Sequence, residues 1–430
     1  MINLQTTLIK EYLKKYSVEI GILLCFILPP IGILWLMVIG WNHLNEVINF
    51  KVSFSINSTS FFFICMALAT SGAALWHGNG SYLLEFALIL GYLGLYLSIK
   101  DRVTISFFYR YKQLFIIGGI YLIIIGNIIN QMNISDHFFG LLTGTTFIGT
   151  SEDANGRLFG SAYNPNFTSF LLLISLSFLL ADLLKRLQER RRLLPILSLI
   201  LIFGAGIFQT ESRAGVATMF IMIVLFLLRL APKIGIFCLS IIVLINIHML
   251  TLIPRSEHIQ SSTFVRKEIW ENSFKIWKEH PYFGTTSLGF YDAYSHFGEP
   301  VPHAHNIILG FFSEYGTVGG LGFLLVFAAI SFKFCYLFFN KWKKKKVLLE
   351  FFLLSLPILL LTGIFDHPLV SPQTTLLIVI FVACWDRYTE RLPFVRKSIF
   401  SLKRVYTREV YLKQKPISQQ MTKTEKNKSI

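Results

Sequence analysis

The sequence predicts an all-α, polytopic integral membrane protein, and three observations carry that prediction. Hydrophobic residues fill 53% of the 430 positions, charged residues only 15%, and the mean hydropathy is +0.58. Soluble domains carry about 25% charged residues. Several apolar runs reach the roughly 18–20 residues that a helix needs to cross ~30 Å of hydrocarbon. None of them alternates in polarity over ~10 residues, as a barrel strand does, whereas a helix satisfies its backbone hydrogen bonds internally in lipid.

Taken in chain order, the first apolar run lies between Val18 and Gly40 and is interrupted by Pro29-Pro30. Proline breaks a helix and restricts the residue before it. The run therefore reads either as a short hairpin of two crossings or as one span. It has no small-residue cleavage site after it and is read as retained. The following spans are Ser60–Trp76, Tyr82–Ile99, Leu114–Ile129, Phe167–Leu184, Leu194–Phe208, Gly215–Leu230 and Ile234–Ile253. Val318–Phe339, Val347–Phe365 and Thr374–Trp385 complete the series. The count is about eleven or twelve spans. No internal repeat is visible.

Basic residues set the orientation. Lys100, Arg102, Arg110, Lys112, Lys185, Arg186, Arg190–Arg192, Arg229, Lys233 and Lys341–Lys346 fall in alternate loops, which are therefore cytoplasmic. The loops 131–166, 209–213, 254–305 and 366–372 then face the other side, and 254–305 is the longest. This divides the chain into a cytoplasmic segment 1–16, a membrane domain 17–386 and a basic cytoplasmic tail 387–430. Twelve spans place both termini inside; eleven place the N-terminus outside.

The same clustering accounts for the net charge of +16. It is the distribution that the positive-inside bias produces, so no nucleic-acid partner is expected. In the tail, Ile399, Leu402 and Tyr406 share one helical face among Lys and Arg, which fits a helix on anionic membrane lipid. The five cysteines, Cys25, Cys65, Cys238, Cys335 and Cys384, are scattered through apolar runs, so neither a disulfide framework nor a zinc site is expected.

The polar chemistry lies in the non-cytoplasmic loops. In "TFVRKEIWENSFKIWKEHPYFG", Trp270, Phe274 and Trp277 recur at helical spacing, with Ile269 and Ile276 beside them. This predicts an amphipathic helix, resting on the membrane interface or packed on the bundle as a lid, with Arg266 one turn before Trp270. Arg213 stands at a turn with almost no loop, and Arg157 lies just before a span. An arginine at the rim of hydrocarbon is a functional candidate because it is costly to place there. Its guanidinium is permanently charged and grips phosphate with a bidentate fork, so three such residues fit a lipid diphosphate. The carboxylates of these loops show no magnesium-binding spacing, which leaves charge neutralisation to the arginines. His305 is the last polar residue before an apolar segment, and neutral imidazole is the usual general base near pH 7. His303 also invites a metal reading, but no third ligand has the required spacing.

These residues resemble the O-antigen ligase and polymerase superfamily. His305-Asn306, nine residues, Gly316 and Gly319 match its signature H-[N/S/Q]-x9-G-x-x-[G/T/Y]. "SRAG" at Ser212–Gly215 is similar to its arginine at the start of a span. "FVRKEIW" with "HPYFGTTSLGF" resembles its second arginine loop, and "RLFGSAYNPN" its R…G…NPN segment. The resemblance implies a GT-C-like fold and a metal-independent, inverting glycosyltransferase without cofactor. It further implies transfer of a glycan from undecaprenyl diphosphate to an acceptor hydroxyl, on the extracytoplasmic side of the bacterial cytoplasmic membrane. By resemblance, Arg213 and Arg266 bind the diphosphate and His305 is the base, with His303 two residues earlier as a second candidate imidazole. Arg157, Asn164, Asn166 and Asn306 are expected at the same mouth as substrate-binding residues. Polymerisation of capsular or exopolysaccharide repeats, with other assembly proteins as partners, is the preferred role. Ligase-type transfer of a finished glycan is the alternative. A lipid-linked sugar flippase is disfavoured because the spans read as free of charge apart from Glu85 and Lys333, and transporters place ionisable residues along them.

Overall fold

The computed structural model describes residues 15–52, 56–132, 156–244, 259–341 and 346–395, with a few isolated positions between them. The tail positions Ile399, Leu402 and Tyr406 lie outside the described residues. The chain divides into two units, Met1–Ala383 and Cys384–Ile430, with the boundary inside its last described helix.

Fourteen α-helices follow one another among the described residues. They are α1 (Ser17–Ile27), α2 (Pro29–Ile48), α3 (Ser58–His77), α4 (Tyr82–Arg102), α5 (Ile105–Met132), α6 (Pro165–Gln188) and α7 (Leu194–Gln209). The second half holds α8 (Arg213–Leu230), α9 (Pro232–Leu244), α10 (Ile259–Glu279), α11 (Thr286–Ser295), α12 (Ile307–Asn340), α13 (Val347–Gly363) and α14 (Pro372–Thr389). No strand occurs among the described residues. Helices α2, α3, α4, α5, α6, α8 and α12, seven in number, are long and apolar enough to cross a membrane, and α1, α7, α9 and α13 are shorter apolar helices. The sequence count of eleven or twelve takes α7, α9, α13 and α14 as spans too, and twelve adds α1.

Local chemistry explains where the helices stop. Leu28, with φ −136° and ψ 73°, precedes the proline pair and separates α1 from α2, so the hairpin read from Pro29-Pro30 is present. Its first arm has 11 residues, about 16 Å at ~1.5 Å per residue, and falls short of the hydrocarbon depth. The Asn57 side chain and Ser60 form a reciprocal capping box at the start of α3, and Gly78 ends that helix in the left-handed region. Ser212 caps α8 by accepting from the Gly215 N–H at 3.2 Å.

Helix α6 is buried almost along its whole length and is surrounded by α5, α7, α8 and α13. A second group consists of α2, α3, α4 and α12, and α1 touches both α2 and α5. The N-terminal part of α14 joins the core through Phe381, 6.3 Å from the Phe178 ring, and through the Tyr111 hydroxyl, which donates to the Leu377 carbonyl at 2.9 Å.

The two ends of the spans differ in charge. Lys100 and Arg102 close α4, Lys185 and Arg186 close α6, and Arg229 lies in the last turn of α8. Ion pairs brace this basic end: Arg110 with Glu19 at 2.8 Å, Lys112 with Asp182, and buried Arg229 with Glu350 at 2.9 Å. Glu350 lies inside a predicted span, so the spans are not as free of charge as the sequence reading had them; its charge is neutralised by Arg229. The opposite end gathers the N-termini of α6, α8 and α12 and the C-terminus of α13.

Helix α10 packs on α12, which is the lid arrangement of the two expected. The face it buries is not the aromatic stripe. Ile269, Ser273 and Ile276 point inward, while Phe274 is 40% exposed. Trp270 and Trp277 flank the buried face and use their N–H groups as anchors, Trp277 donating to Thr317 Oγ1 at 3.1 Å. Tryptophan covers apolar surface and still needs a polar partner, so it settles at the edge of such a contact.

Candidate functional site

The end of α12 that carries the predicted histidine is held by three devices. Asn306 caps the helix, its Oδ1 accepting from the Ile308 and Leu309 N–H groups at 3.0 and 3.1 Å. Its Nδ2 donates to the Ile364 carbonyl at 3.1 Å, tying the loop after α13 to the start of α12. Further along, Gly316 has φ 60° and ψ −165° and interrupts the helix. That region is essentially open only to glycine. The turn Pro281–Gly284 lies over the break, where the Thr317 and Val318 N–H groups donate to the carbonyls of Pro281 and Tyr282 at 2.7 and 3.2 Å. A Cβ at Gly316 would come within 2.3 Å of the Tyr282 carbonyl oxygen. Two motif elements distant in sequence therefore interlock.

Glu85, in a predicted span, supports the same end. Its Oε2 accepts from the Ser287 N–H at 3.0 Å at the start of α11, and its Oε1 accepts from the Tyr315 hydroxyl. A carboxylate at a helix N-terminus is favoured by the helix dipole. The residue that the sequence left as an isolated intramembrane charge thus ties α4, α11 and α12 together.

At the centre of the site is Asp366, which sequence reasoning passed over. Its Oδ1 lies 2.9 Å from His303 Nε2 and 3.3 Å from His305 Nδ1, and accepts from the His367 N–H at 2.8 Å. Burial raises the Asp366 pKa, but the hydrogen bonds and charges of His303 and His305 outweigh it and hold the carboxyl well below its usual range. Burial, reinforced by His305, lowers the pKa of His303 despite Asp366, which keeps that imidazole neutral. With Asp366 ionised, the bond fixes the tautomer of His305: Nδ1 carries the proton toward Asp366, and Nε2 keeps its lone pair. The His305 side chain is 24% exposed and His303 only 4%. Exposure therefore favours His305 over His303 as the imidazole that meets a substrate. His305 also has φ 48°, a costly backbone setting for a residue other than glycine.

The segments that carry the arginines connect to this centre through their neighbours. Trp270, one turn after Arg266, donates its Nε1–H to the His305 carbonyl at 3.3 Å. Arg213 opens α8 two residues before Gly215, which lies against Ser169 on α6. Two residues earlier on α6, the Phe167 ring lies 6.4 Å from that of His303. Arg157 donates from Nε to the Thr210 carbonyl at 2.9 Å, in the turn that leads to Arg213. Asn164 caps α6, accepting from the Asn166 N–H at 2.8 Å. Asn164 and Asn306 thus have structural work that accounts for them without a substrate. All these residues lie at the end opposite the basic helix termini.

His303, His305 and Asp366 each offer one ligand atom, and these atoms lie within 4.8 Å of one another. The sequence expectation that no third ligand accompanies the two histidines is corrected by Asp366, which reaches them across a separation that spacing cannot reveal. Two imidazoles and a carboxylate suit a divalent metal, and they equally suit a hydrogen-bonded acid–imidazole pair. Behind them, buried Glu314 and His367 face each other at 3.5 Å. His280 lies apart, its ring 4.8 Å from that of His77.

Residues 197–324 match the family model for O-antigen ligase. The matched stretch contains Arg213, Arg266, His305, Gly316 and Gly319; Arg157 and Asp366 fall outside it. The resemblance to the O-antigen ligase and polymerase superfamily thus stands on this match as well as on the motifs. No curated protein matches the chain.

Proposed function

We propose that this chain, through its O-antigen ligase domain, is a glycosyltransferase that moves a glycan from an undecaprenyl-diphosphate carrier to an acceptor hydroxyl at the extracytoplasmic face of the bacterial cytoplasmic membrane. One observation carries the proposal. A partly exposed imidazole, oriented by a buried carboxylate, lies in the segment that matches the O-antigen ligase model, at the end of the bundle opposite its basic termini. The positive-inside bias turns that end outward.

In the proposed step, the acceptor hydroxyl oxygen attacks the anomeric carbon from the face opposite the diphosphate. The new C–O bond forms as the C–O bond to the diphosphate breaks, so the configuration inverts. His305 Nε2 takes the hydroxyl proton. Asp366 holds Nδ1–H and stabilises the imidazolium that results. The diphosphate leaves with the bonding pair as an anion, its charge matched by Arg213 and Arg266. Arg157 extends the positive rim. Asn306 acts through His305 by fixing the start of α12. Guanidinium groups supply the charge neutralisation, so the proposed chemistry requires no metal or other cofactor, and transfer is expected to persist in the presence of a chelator.

Polymerisation of capsular or exopolysaccharide repeats is the preferred form of the reaction. The test is the product pattern from purified protein supplied with lipid diphosphate-linked repeat units. A ladder of lengths identifies a polymerase. A single transfer onto an added terminal acceptor identifies a ligase, and no glycosidic product from either mixture contradicts the proposal.

A further inference from the structure

Asp366 stands in the short segment between α13 and α14, outside both helices. His303, His305 and the His367 N–H all meet its Oδ1, while Oδ2 has no hydrogen-bond partner among the described residues. The aim of the carboxylate therefore depends on how the backbone of this segment is anchored. One anchor is the Asn306 bond to the Ile364 carbonyl at 3.1 Å. The second is the His367 side chain, which packs into α12.

Two residues one turn apart on α12 form the seat of that ring. Gly310 allows the approach, since a Cβ there would lie 2.6 Å from His367 Nδ1. Glycine inside a helix is less favourable than alanine, so its place here fits the need for that space. Glu314, on the same face, brings Oε1 to 3.5 Å from Nδ1. The Phe311 ring lies beside them, 5.3 Å from that of His367. Both polar side chains are deeply buried, and neither Glu314 oxygen has a hydrogen-bond partner among the described residues. A carboxylate buried in this way is unfavourable unless a partner offsets it, and the His367 imidazole offers that offset.

We propose that Glu314 is a positioning residue for the transfer reaction: by gripping His367 it fixes the backbone N–H that aims Asp366 at His305. This rests on the proposed transferase reading. Glu314 touches none of the reacting groups and acts through His367 and Asp366, which are joined covalently. One rigid element then sets both halves of the acid–imidazole pair. His305 stands just before the start of α12, and Asp366 is held against the same helix from the side by Glu314.

The test is steady-state transfer by purified full-length protein with lipid diphosphate-linked donor, together with its melting temperature. Glu314→Leu removes the grip at similar volume. Its kcat should fall by about tenfold with the donor KM unchanged, because a displaced carboxylate weakens the transition state and not donor binding. Glu314→Gln keeps the shape and the hydrogen-bonding capacity and should recover most of the rate. Gly310→Ala displaces the ring while leaving every polar group in place; it should show the same kcat loss, and it serves if Glu314→Leu fails to fold. In an Asp366→Ala background no carboxylate remains to be aimed, so Glu314→Leu should lower the rate by less than about twofold further. Stability reads the grip apart from activity. His367→Leu leaves Glu314 buried without its partner and should lower the melting temperature, and adding Glu314→Leu should restore part of that loss. Wild-type kcat in a folded Glu314→Leu or Gly310→Ala protein, an undiminished effect of Glu314→Leu in the Asp366→Ala background, or additive losses of melting temperature would each overturn the inference. The two readings fail separately. No transfer by wild type overturns the transferase reading and leaves the His367 grip to the stability measurement; transfer undiminished by Glu314→Leu overturns the positioning role and leaves the transferase standing.

Discussion

Replacing Asp366 by Asn removes one charge while keeping the shape of the side chain. In the protein, Asp366 Oδ1 stands 3.3 Å from His305 Nδ1. An imidazolium formed in the transition state is therefore opposed by a full negative charge at contact distance. At an effective dielectric of ~20, that attraction amounts to about 5 kcal/mol. His305 is partly exposed, so solvent screens a substantial share and about 2–3 kcal/mol remains. At ~1.36 kcal/mol per tenfold, the loss corresponds to a transfer rate lower by about 30- to 150-fold. The amide oxygen can still accept from Nδ1–H, so His305 keeps its tautomer and donor binding is expected to hold. The assay is initial transfer rate with lipid diphosphate-linked donor at saturation, with size-exclusion behaviour as the folding control. A folded Asp366→Asn protein within about twofold of the wild-type rate would refute the role given to this carboxylate.

Arg213→Lys keeps the charge but loses the planar fork; the KM for the lipid diphosphate donor should rise by about tenfold, and an unchanged KM removes Arg213 from the clamp. Gly316→Ala should destabilise the fold by more than the ~1–3 kcal/mol of backbone strain alone, because its Cβ would also meet the Tyr282 carbonyl; denaturation of the purified variant measures this. Acid should destabilise the protein in two windows. The His303 pKa is lowered on folding, so the unfolded chain binds its proton more readily and stability falls as pH drops below about 6.5. The Asp366 pKa is also lowered, so its contribution is present above about 3.9 and is lost as pH falls through its folded value. His303→Gln should flatten the first window in a thermal-shift series; an unchanged slope between pH 7 and 5 contradicts the assignment.

Much of the fold was legible because membrane helices announce themselves by run length and polar punctuation. Pro29-Pro30 marked a real break, and the basic clusters marked one end of the bundle. What the sequence could not show was how far each apolar run stays helical, and α1 stops at 11 residues. The buried face of α10 was misread because the large aromatic residues dominated the pattern. The smaller Ile269 and Ile276 are buried with Phe290 and Tyr294 of α11, while Trp277 meets Phe312 on α12. In the site, the motif residues were legible by position, and their mechanics were not. Gly316 is glycine because the Pro281–Gly284 turn occupies the space of a side chain. Asn306 before an apolar helix is a recognisable N-cap signal, and the sequence reading gave it to substrate instead. Asp366 was hidden because its partners lie a whole helical hairpin away along the chain, and only packing brings them together. Glu350 was overlooked for the same reason, since its neutralising Arg229 comes from another helix.

The most direct measurement compares glycosyl transfer by purified wild-type protein and His305→Ala, using the same lipid diphosphate-linked donor and matched folded protein. Loss of the general base predicts a rate lower by about 10²- to 10⁴-fold with the donor still bound. Transfer by the variant at close to the wild-type rate would contradict the account.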